Sequence, residues 1–462
     1  LQSKQFISKF VLVATAMLVL SSHAQAENVI ALPTDRDSLQ ARVDILRDPK
    51  LREFAFTTFD LTNDQLGSIF MSLLVNAANR GVKVQGIIDN DLYHRTPELL
   101  EVLRSSGVEL RFYHPINLIP QSIPDFLDPV TAISRMDHRL HDKLFIAKFS
   151  DGRMSMINGD KNYRDMFFNK TGLLAPKALG LLGREIYIEG PLVVGVRQYF
   201  DYLWRLPDMH VRHVGQAWQP GVVRERARLA GYFDWIEKYV VGDDWKNKPN
   251  RAGRFDNVSE IRFVHDDFDE SGKRTNTTLQ KILKIMSAAP EGSDIYIENA
   301  YFVLHPELEA AIKSARLRGA KITVLTNSPV STDEKLVADA LMLDLPKLKK
   351  LGINLYFTRT PNAMHSKLMK INDTLIITSA NLDPRSLRIN SESGVIVVDH
   401  DLASFYGDLF KKNLKSSIPV LVGGRVIPFD SSSGPVPDFL RLDRPVRQAL
   451  EKVAIALIRS EL

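Results

Sequence analysis

No cysteine occurs in the 462 residues, which together excludes disulfides, thiolate nucleophiles, thiolate metal sites and a lipidated N-terminal cysteine. Stability has to come from a buried core, and 44% hydrophobic content in a chain this long is enough for two or three ordinary domains. Long apolar runs are scarce: none reaches the ~20 residues that a membrane-crossing helix needs. An excess of one charge is also missing. The formal net charge is +5, falling to +3 without Lys4 and Lys9, and no long block of Lys and Arg stands out. Composition gives a weak push toward anionic partners and does not choose among lipid, nucleic acid and neither.

What is present begins with Lys4 and Lys9 ahead of an apolar stretch at 10–20, followed by Ala24-Gln25-Ala26. Basic residues, a short apolar core and small residues at the end form a signal-peptide pattern, and cleavage is expected after Ala26. Residues 1–26 are therefore expected to be removed on export, leaving the mature chain periplasmic or secreted from a bacterium.

Apolar periodicity then writes one architecture twice. Residues 53–59 read as a strand, 64–79 as a helix, 82–88 as a strand, 97–105 as a helix and 108–113 as a strand. The same order returns at 294–302, 306–318, 321–326, 332–351 and 354–357. Arg80-Gly81-Val82-Lys83-Val84 corresponds to Arg318-Gly319-Ala320-Lys321-Ile322, and Gly107-Val108-Glu109-Leu110 to Gly352-Ile353-Asn354-Leu355. In each place a glycine ends a helix, where a left-handed conformation carries no side-chain penalty. Alternating strands and helices predict an α/β fold of two similar halves. Each is expected to hold a mostly parallel or mixed sheet flanked by helices, the two related by a pseudo-twofold axis. The expected divisions are 27–205 for the first half, 206–292 for a linker with some helix, 293–416 for the second half and 417–462 for a C-terminal extension with a helix. The acidic group after His265 reads as a solvated loop, since no regular metal-ligand spacing is present.

The chemistry sits at matching points of the two halves. His141-Asp142-Lys143 follows the strand at 108–113, and His365-Ser366-Lys367 follows the strand at 354–357. Residues two apart on a strand share a face, so each half sets one imidazole beside one ammonium. A second strand in each half leads to an asparagine, Asn162 in Gly159-Asp160-Lys161-Asn162 and Asn381 in Ser379-Ala380-Asn381. Two imidazoles, two ammonium groups and two carboxamides suit a phosphodiester. One histidine attacks phosphorus, the other supplies a proton to the departing alkoxide, and the lysines and asparagines hold the phosphoryl oxygens. The attacking ring needs an acceptor on its other nitrogen, for which Glu392 and Glu185 are candidates. This scheme calls for no metal and no cofactor.

These residues resemble the phospholipase D superfamily, whose signature is His-x-Lys, four residues, Asp, then Gly-Ser-x-Asn or Gly-Gly-x-Asn. Asn327-Ser328, the tract Ser379-Ala380-Asn381-Leu382-Asp383-Pro384-Arg385-Ser386 and Asn390-Ser391-Glu392-Ser393-Gly394 look like its bacterial cardiolipin synthase branch. The resemblance implies a phospholipase D-type enzyme working through a phosphohistidine, with His141 the nucleophile, His365 the general acid, and Asp160 and Ser379 at the substrate. The sequence departs from the signature at Lys148 and Asn372, with Asp151 and Asp373 nearby as replacements for the missing Asp. Asp160 stands where the family has a small residue, and a carboxylate there needs a cation such as Lys161 or Arg164.

The expected partners are a phospholipid substrate and a membrane surface, with water or an alcohol as acceptor. Nucleic acid is not expected, given the small charge and the absence of a basic, aromatic-interleaved stretch. Both motifs lie in one chain, so a monomer is expected. The apolar loop at 115–129 and the stretch at 446–457 are candidate membrane or acyl contacts. Phospholipase, phosphatidyltransferase, nuclease of the same superfamily and non-catalytic lipid binder all remain open at this point.

Overall fold

The computed structural model describes residues 27–89, 97–113, 139–168, 181–206, 209–210, 217–239, 253–269, 274–332, 334–359 and 363–427. The expected signal peptide and the segments 115–129 and 446–457 lie outside them.

Nine strands form the first sheet: β1 (Glu27–Leu32), β2 (Leu51–Thr58), β3 (Lys83–Asp89), β4 (Val108–Tyr113), β5 (Leu144–Phe149), β6 (Met154–Gly159), β7 (Glu185–Glu189), β8 (Met209–His210) and β9 (Arg254–Val258). Their spatial order is β8-β4-β3-β2-β5-β6-β7-β1-β9. The second sheet holds β10 (Ile261–His265) and, after a ribbon of β11 (Asp267–Phe268) and β12 (Arg274–Asn276), β13 (Asp294–Asn299), β14 (Lys321–Thr326) and β15 (Asn354–Phe357). It is completed by β16 (Lys367–Ile371), β17 (Thr374–Thr378), β18 (Ser393–Val398), β19 (Ile418–Val422) and β20 (Arg425–Val426). Its order, β20-β19-β15-β14-β13-β16-β17-β18-β10, matches the first sheet position by position from β19 to β10. In both sheets the β2-like, β3-like and β4-like strands run parallel and the rest pair antiparallel.

That correspondence moves the expected boundaries. β10 is the counterpart of β1, so the second half begins at Ile261 rather than 293, and β9 extends the first sheet. The described strands and helices of 206–292 are thus divided between the halves, where the sequence suggested a linker. β19 and β20 likewise put 418–426 inside the second sheet. Asp266, read from sequence as solvated, is fully buried against Arg274 and the backbone N–H of Thr278.

Helices cover the outer faces. Alongside the first sheet lie α1 (Asp35–Arg47), α2 (Gln65–Asn79) and α3 (Pro97–Ser105), while α4 (Leu192–Arg205) packs on its other face and α5 (Gln219–Tyr239) lies across α2 and α3. Alongside the second sheet lie α6 (Thr278–Ser287), α7 (Pro306–Leu317) and α8 (Lys335–Lys350), with the short α9 (Pro384–Arg388) and then α10 (His400–Lys415). Thr34, Asp64 and Thr277 cap α1, α2 and α6 through side-chain acceptors, satisfying backbone N–H groups of the first turn. Gly81, Gly107, Gly319 and Gly352 take φ of +84°, +92°, +79° and +68°, the left-handed helix endings expected from sequence.

Alternate residues of each central strand serve different cores. On β5, Phe145 and Ala147 face the outer helices, whereas Leu144 and Ile146 join a core that also takes Leu368, Leu375, Ile377, Val395 and Val397 from the second half. Burying each such side chain contributes roughly 1.5–3 kcal/mol, so the two halves are one folding unit across this seam. Strands covered on both faces read as continuous apolar runs, which is why Thr374–Thr378 and Ser393–Val398 lack alternation.

Candidate active site

Each His-x-Lys lies at the lead-in to a central strand: β5 starts one residue after Lys143, and β16 starts at Lys367. The lead-ins are held by the opposite half. The His141 N–H donates to the Ser391 carbonyl at 2.9 Å, and the His365 N–H to the Leu182 carbonyl at 2.8 Å. Parallel bridges join Leu140 to Ser391 and Leu182 to Met364, a reciprocal pattern of the kind a twofold produces. Phe59, just past β2, meets the His141 ring edge-on at 5.5 Å, while Phe167 and Tyr301 meet the His365 ring at 4.8 and 6.5 Å.

The four motif side chains are buried and within electrostatic reach of one another. Nδ1 of His141 donates to Glu392 at 2.9 Å. Burial, and then the Lys143 charge, outweigh Glu392 and hold the His141 pKa down to about 4. Burial would raise Glu392, but His141 and Lys143 together with the Ser379 hydroxyl hold it at about 2. The pair at neutral pH is therefore a neutral imidazole on an ionised carboxylate, with Nε2 left as a lone-pair donor. Ser379 and Ser386 both donate to Glu392, so the Ser379 hydroxyl, expected at the substrate, is instead committed to holding the carboxylate.

His365 is built differently. Its Nδ1–H donates to the backbone carbonyl of Asp160 at 2.9 Å, and Lys367 Nζ stands 3.2 Å from Nε2. Burial first, then Lys367, Lys143 and His141, push its pKa well below the ordinary value. Glu185 does not reach a histidine, and the bridges at Ser391 and Leu182 make Gly183, not Glu185, the position equivalent to Glu392. Arg42 grips Glu185 with two bonds of 2.7 and 2.8 Å and Ser38 donates to it, so this carboxylate is committed to a buried ion pair away from the rings. Asp160 is fully buried, accepts from the Arg184 N–H at 3.0 Å, and is pushed up to about 7 by burial. Lys161, expected to neutralise it by direct pairing, bonds to Asp35 at 2.9 Å, and Arg164 lies 3.5 Å from Asp60.

Lys143 and Lys367 each donate to the carbonyl of their own histidine at 2.8 Å. Burial, and then the neighbouring Lys367 charge, bring Lys143 down to about 7. Asn162 is buried and accepts from Thr58 at 3.5 Å; Asn381 is buried with no bond to its Oδ1. Asp151 and Asp373 sit in the β5–β6 and β16–β17 hairpin turns, on Lys50 and Arg153 and on His400, at the opposite strand ends from the histidines. Among the described residues no group of three His, Asp or Glu side chains is placed to hold a metal.

Sequence reasoning missed Ser386, Ser391, Arg42, Arg184 and Glu298, because each acts through a partner more than five residues or a whole half away, except Ser386, whose place in the Ser379–Ser386 tract was the available signal. A cleft of about 730 Å3, lined in part by Leu192, Tyr199, Tyr202, Phe263 and Phe268, contains neither histidine; Tyr199 links it to the motif through Asp142.

Two matching halves, each lending one His-x-Lys to a shared buried site, are the arrangement that phospholipase D-like proteins share, and the comparisons find this chain similar to such proteins. Its second half, at residues 282–414, matches the family described as cardiolipin synthase, PLD-like domain. The chain is 25% identical over 434 residues to cardiolipin synthase C of Escherichia coli strain K12, covering 86% of this chain and 87% of that one. It is 25% identical over 396 residues to an uncharacterised protein of Helicobacter pylori strain 26695, covering 79% and 75%. In fold it resembles the phosphatidylserine synthase of Haemophilus influenzae Rd KW20, with a TM-score of 0.62 at 13% identity over 95% of this chain and 99% of that one.

Proposed function

We propose that the protein is a cardiolipin synthase-like phosphatidyltransferase of the phospholipase D superfamily, acting on glycerophospholipids through a phosphohistidine. The observation that carries the reading is the convergence of His141, Lys143, His365 and Lys367 on one buried site, with His141 backed by ionised Glu392. The match to the cardiolipin synthase domain supports lipid over other phosphodiesters.

In the first step Nε2 of neutral His141 gives its lone pair to phosphorus as the bond to the departing alcohol breaks. Glu392 stabilises the positive charge that develops on the ring. Burial first, and then the two lysine charges, keep His365 neutral in the free protein; entry of the phosphate anion offsets the lysines and favours the charged ring, so His365 takes up a proton and delivers it to the alkoxide. In the second step His365 removes a proton from the acceptor hydroxyl, whose oxygen displaces His141 from phosphorus. Lys143, Lys367, Asn162 and Asn381 hold the non-bridging oxygens. An alcohol acceptor gives transfer and water gives hydrolysis. One chain supplies both motifs, which supports a complete site in a monomer, and the pattern ending at Ala26 supports action at a bacterial periplasmic or extracellular membrane face.

The test incubates purified protein with labelled phosphatidylglycerol, phosphatidylethanolamine and DNA, with and without added glycerol. Phosphatidyl transfer in the presence of the alcohol is the expected outcome. Release of label from DNA alone, with both lipids intact, would overturn the lipid reading.

A further inference from the structure

The family signature leaves the middle residue of His-x-Lys open, yet both middle residues here, Asp142 and Ser366, are fully buried. Neither points a bond at the other members of its own motif. Ser391 Oγ donates to Asp142 Oδ2, and Tyr199 OH donates to the same carboxylate at 3.3 Å. Ser391 in turn precedes Glu392, accepts the His141 N–H on its carbonyl, and donates its own N–H to Arg139 at 2.8 Å. The result is a closed ring of side chains and backbone: His141, Asp142, Ser391, Glu392 and back to His141 Nδ1.

The second motif closes a ring of its own with different chemistry. Ser366 Oγ donates to Glu298 at 3.0 Å, and Glu298 holds Arg184 through bonds of 2.9 and 3.1 Å. The Arg184 N–H donates to the Asp160 side chain, and the Asp160 carbonyl accepts from His365 Nδ1. Asp142 reaches directly across to the segment of the opposite half that carries the imidazole's Nδ1 partner, whereas Ser366 reaches it through Glu298 of its own half, which grips Arg184 of the other.

We propose that Asp142 and Ser366 are positioning residues, each setting the alignment of its own motif's histidine by bracing the segment that carries, or that anchors, the ring's Nδ1 acceptor. A buried bond to a rigid neighbour fixes an acceptor to a fraction of an ångström, and misplacement of a reacting group by about 1 Å costs on the order of 100-fold in rate. Because the braces serve different rings, opening them has different consequences. Loss of the Asp142 brace weakens the attack of His141, and loss of the Ser366 brace weakens proton delivery by His365. This assignment rests on the roles given under the proposed function.

The experiment compares Asp142→Ala, Asp142→Asn, Ser391→Ala and Ser366→Ala, with unfolding midpoints recorded for each. Kinetics use a short-chain phosphatidyl substrate with an alcohol headgroup and one with a p-nitrophenol headgroup, which departs without a proton. Asp142→Ala and Ser391→Ala are expected to lower kcat by about 10- to 100-fold on both substrates, with KM little changed. Asp142→Asn, which keeps the acceptor oxygen, is expected to restore most of the rate. Ser366→Ala is expected to slow release of the alcohol headgroup and to leave the first-turnover burst of p-nitrophenol within about 3-fold. In a Glu392→Ala background the Asp142→Ala effect should vanish, since the acceptor it aligns is already gone.

Full additivity of those two substitutions, or a loss of the p-nitrophenol burst as large as the loss of alcohol release for Ser366→Ala, would overturn the proposal. If Asp142→Ala does not fold, Ser391→Ala and Asp142→Asn carry the same comparison, and a normal rate for Ser391→Ala overturns it. A wild-type protein that turns over neither substrate would instead count against the proposed function and not against the braces.

Discussion

The two halves share a strand order and a motif but treat their histidines unequally. His141 leans on an ionised carboxylate, Glu392, while His365 leans on a neutral backbone carbonyl of Asp160. The position that symmetry pairs with Glu392 is Gly183, which carries no carboxylate, and Glu185 two residues on is held by Arg42. A duplicated fold thus preserves where the rings stand while small changes behind them separate their chemistry. A ring that must carry positive charge through a covalent intermediate benefits from an anion behind it. A ring that must release a proton is better served by a weaker acceptor.

The largest test of this inequality removes each ring in turn. His141→Ala and His365→Ala should each lower turnover of a lipid with an alcohol headgroup by at least about 10,000-fold, within the range general acids and nucleophiles supply. With a p-nitrophenol leaving group they should part company. His365→Ala should still release a burst of nitrophenol and trap label on the protein, whereas His141→Ala should show neither. Label trapped in the His141 variant and lost in the His365 variant would invert the assignment.

Next in size is the capture of Glu185. Arg42 and Glu185 are both buried, with side-chain exposures of 5% and 2%, and removal of one partner leaves a buried charge uncompensated. Arg42→Ala is expected to destabilise the protein by about 3–5 kcal/mol in urea unfolding. A loss below about 1 kcal/mol would mean that Glu185 had found another partner.

How much of this was legible beforehand follows the same division. Helix-Gly-strand repeats and the matched His-x-Lys pairs are local signals, and they pointed to the duplication, the central strands and the residues that meet at the site. β10 was not legible as the partner of β1, because Ile261–His265 is a short edge strand with charged neighbours, and only its pairing with β18 makes it a strand. Glu185 read as well as Glu392 from sequence, since nothing local announces an arginine 143 positions earlier on α1. Ser379 was read by its place in a phosphate-binding signature, but its hydroxyl turns back to Glu392. Tertiary partners decide the role of each such polar residue, and periodicity carries no information about them.

A smaller effect tests whether charge behind the ring matters. Glu392→Gln gives His141 a neutral partner resembling the one His365 already has, and about a 100-fold loss in kcat is expected, since the amide neither fixes the tautomer nor supports the developing charge. Glu185→Gln should leave kcat within about 3-fold and register in the unfolding midpoint, because its bonds run to Arg42 and Ser38. Equal kinetic losses for the two variants would erase the distinction between the halves.

The pH profile gives the smallest effect and the finest resolution. In the free protein His141 must be neutral to attack, with a pKa of about 4, and Lys143 must be charged to hold a phosphoryl oxygen, with a pKa of about 7. The profile of kcat/KM, which reports the free protein, should therefore rise through about pH 4 and fall through about pH 7. A bound phosphate anion favours the charged ammonium, so the alkaline limb of kcat should lie above that of kcat/KM. The stability consequence has one sign throughout, because His141, Lys143 and Glu392 all have folded values below their ordinary ones of 6.5, 10.5 and 4.5. For each, the unfolded chain binds more protons between the two values, so stability is complete above the ordinary value and is lost as pH falls through the folded one. The Glu392 contribution therefore disappears below about pH 2, that of His141 between 6.5 and about 4, and that of Lys143 between 10.5 and about 7. Lys143→Arg, whose guanidinium stays charged, should shift the alkaline limb of kcat/KM upward by roughly two units or more at whatever rate the variant retains. A limb that stays near 7 in that variant would belong to another group, and Asp160, also at about 7 and facing His365 rather than His141, would become the candidate.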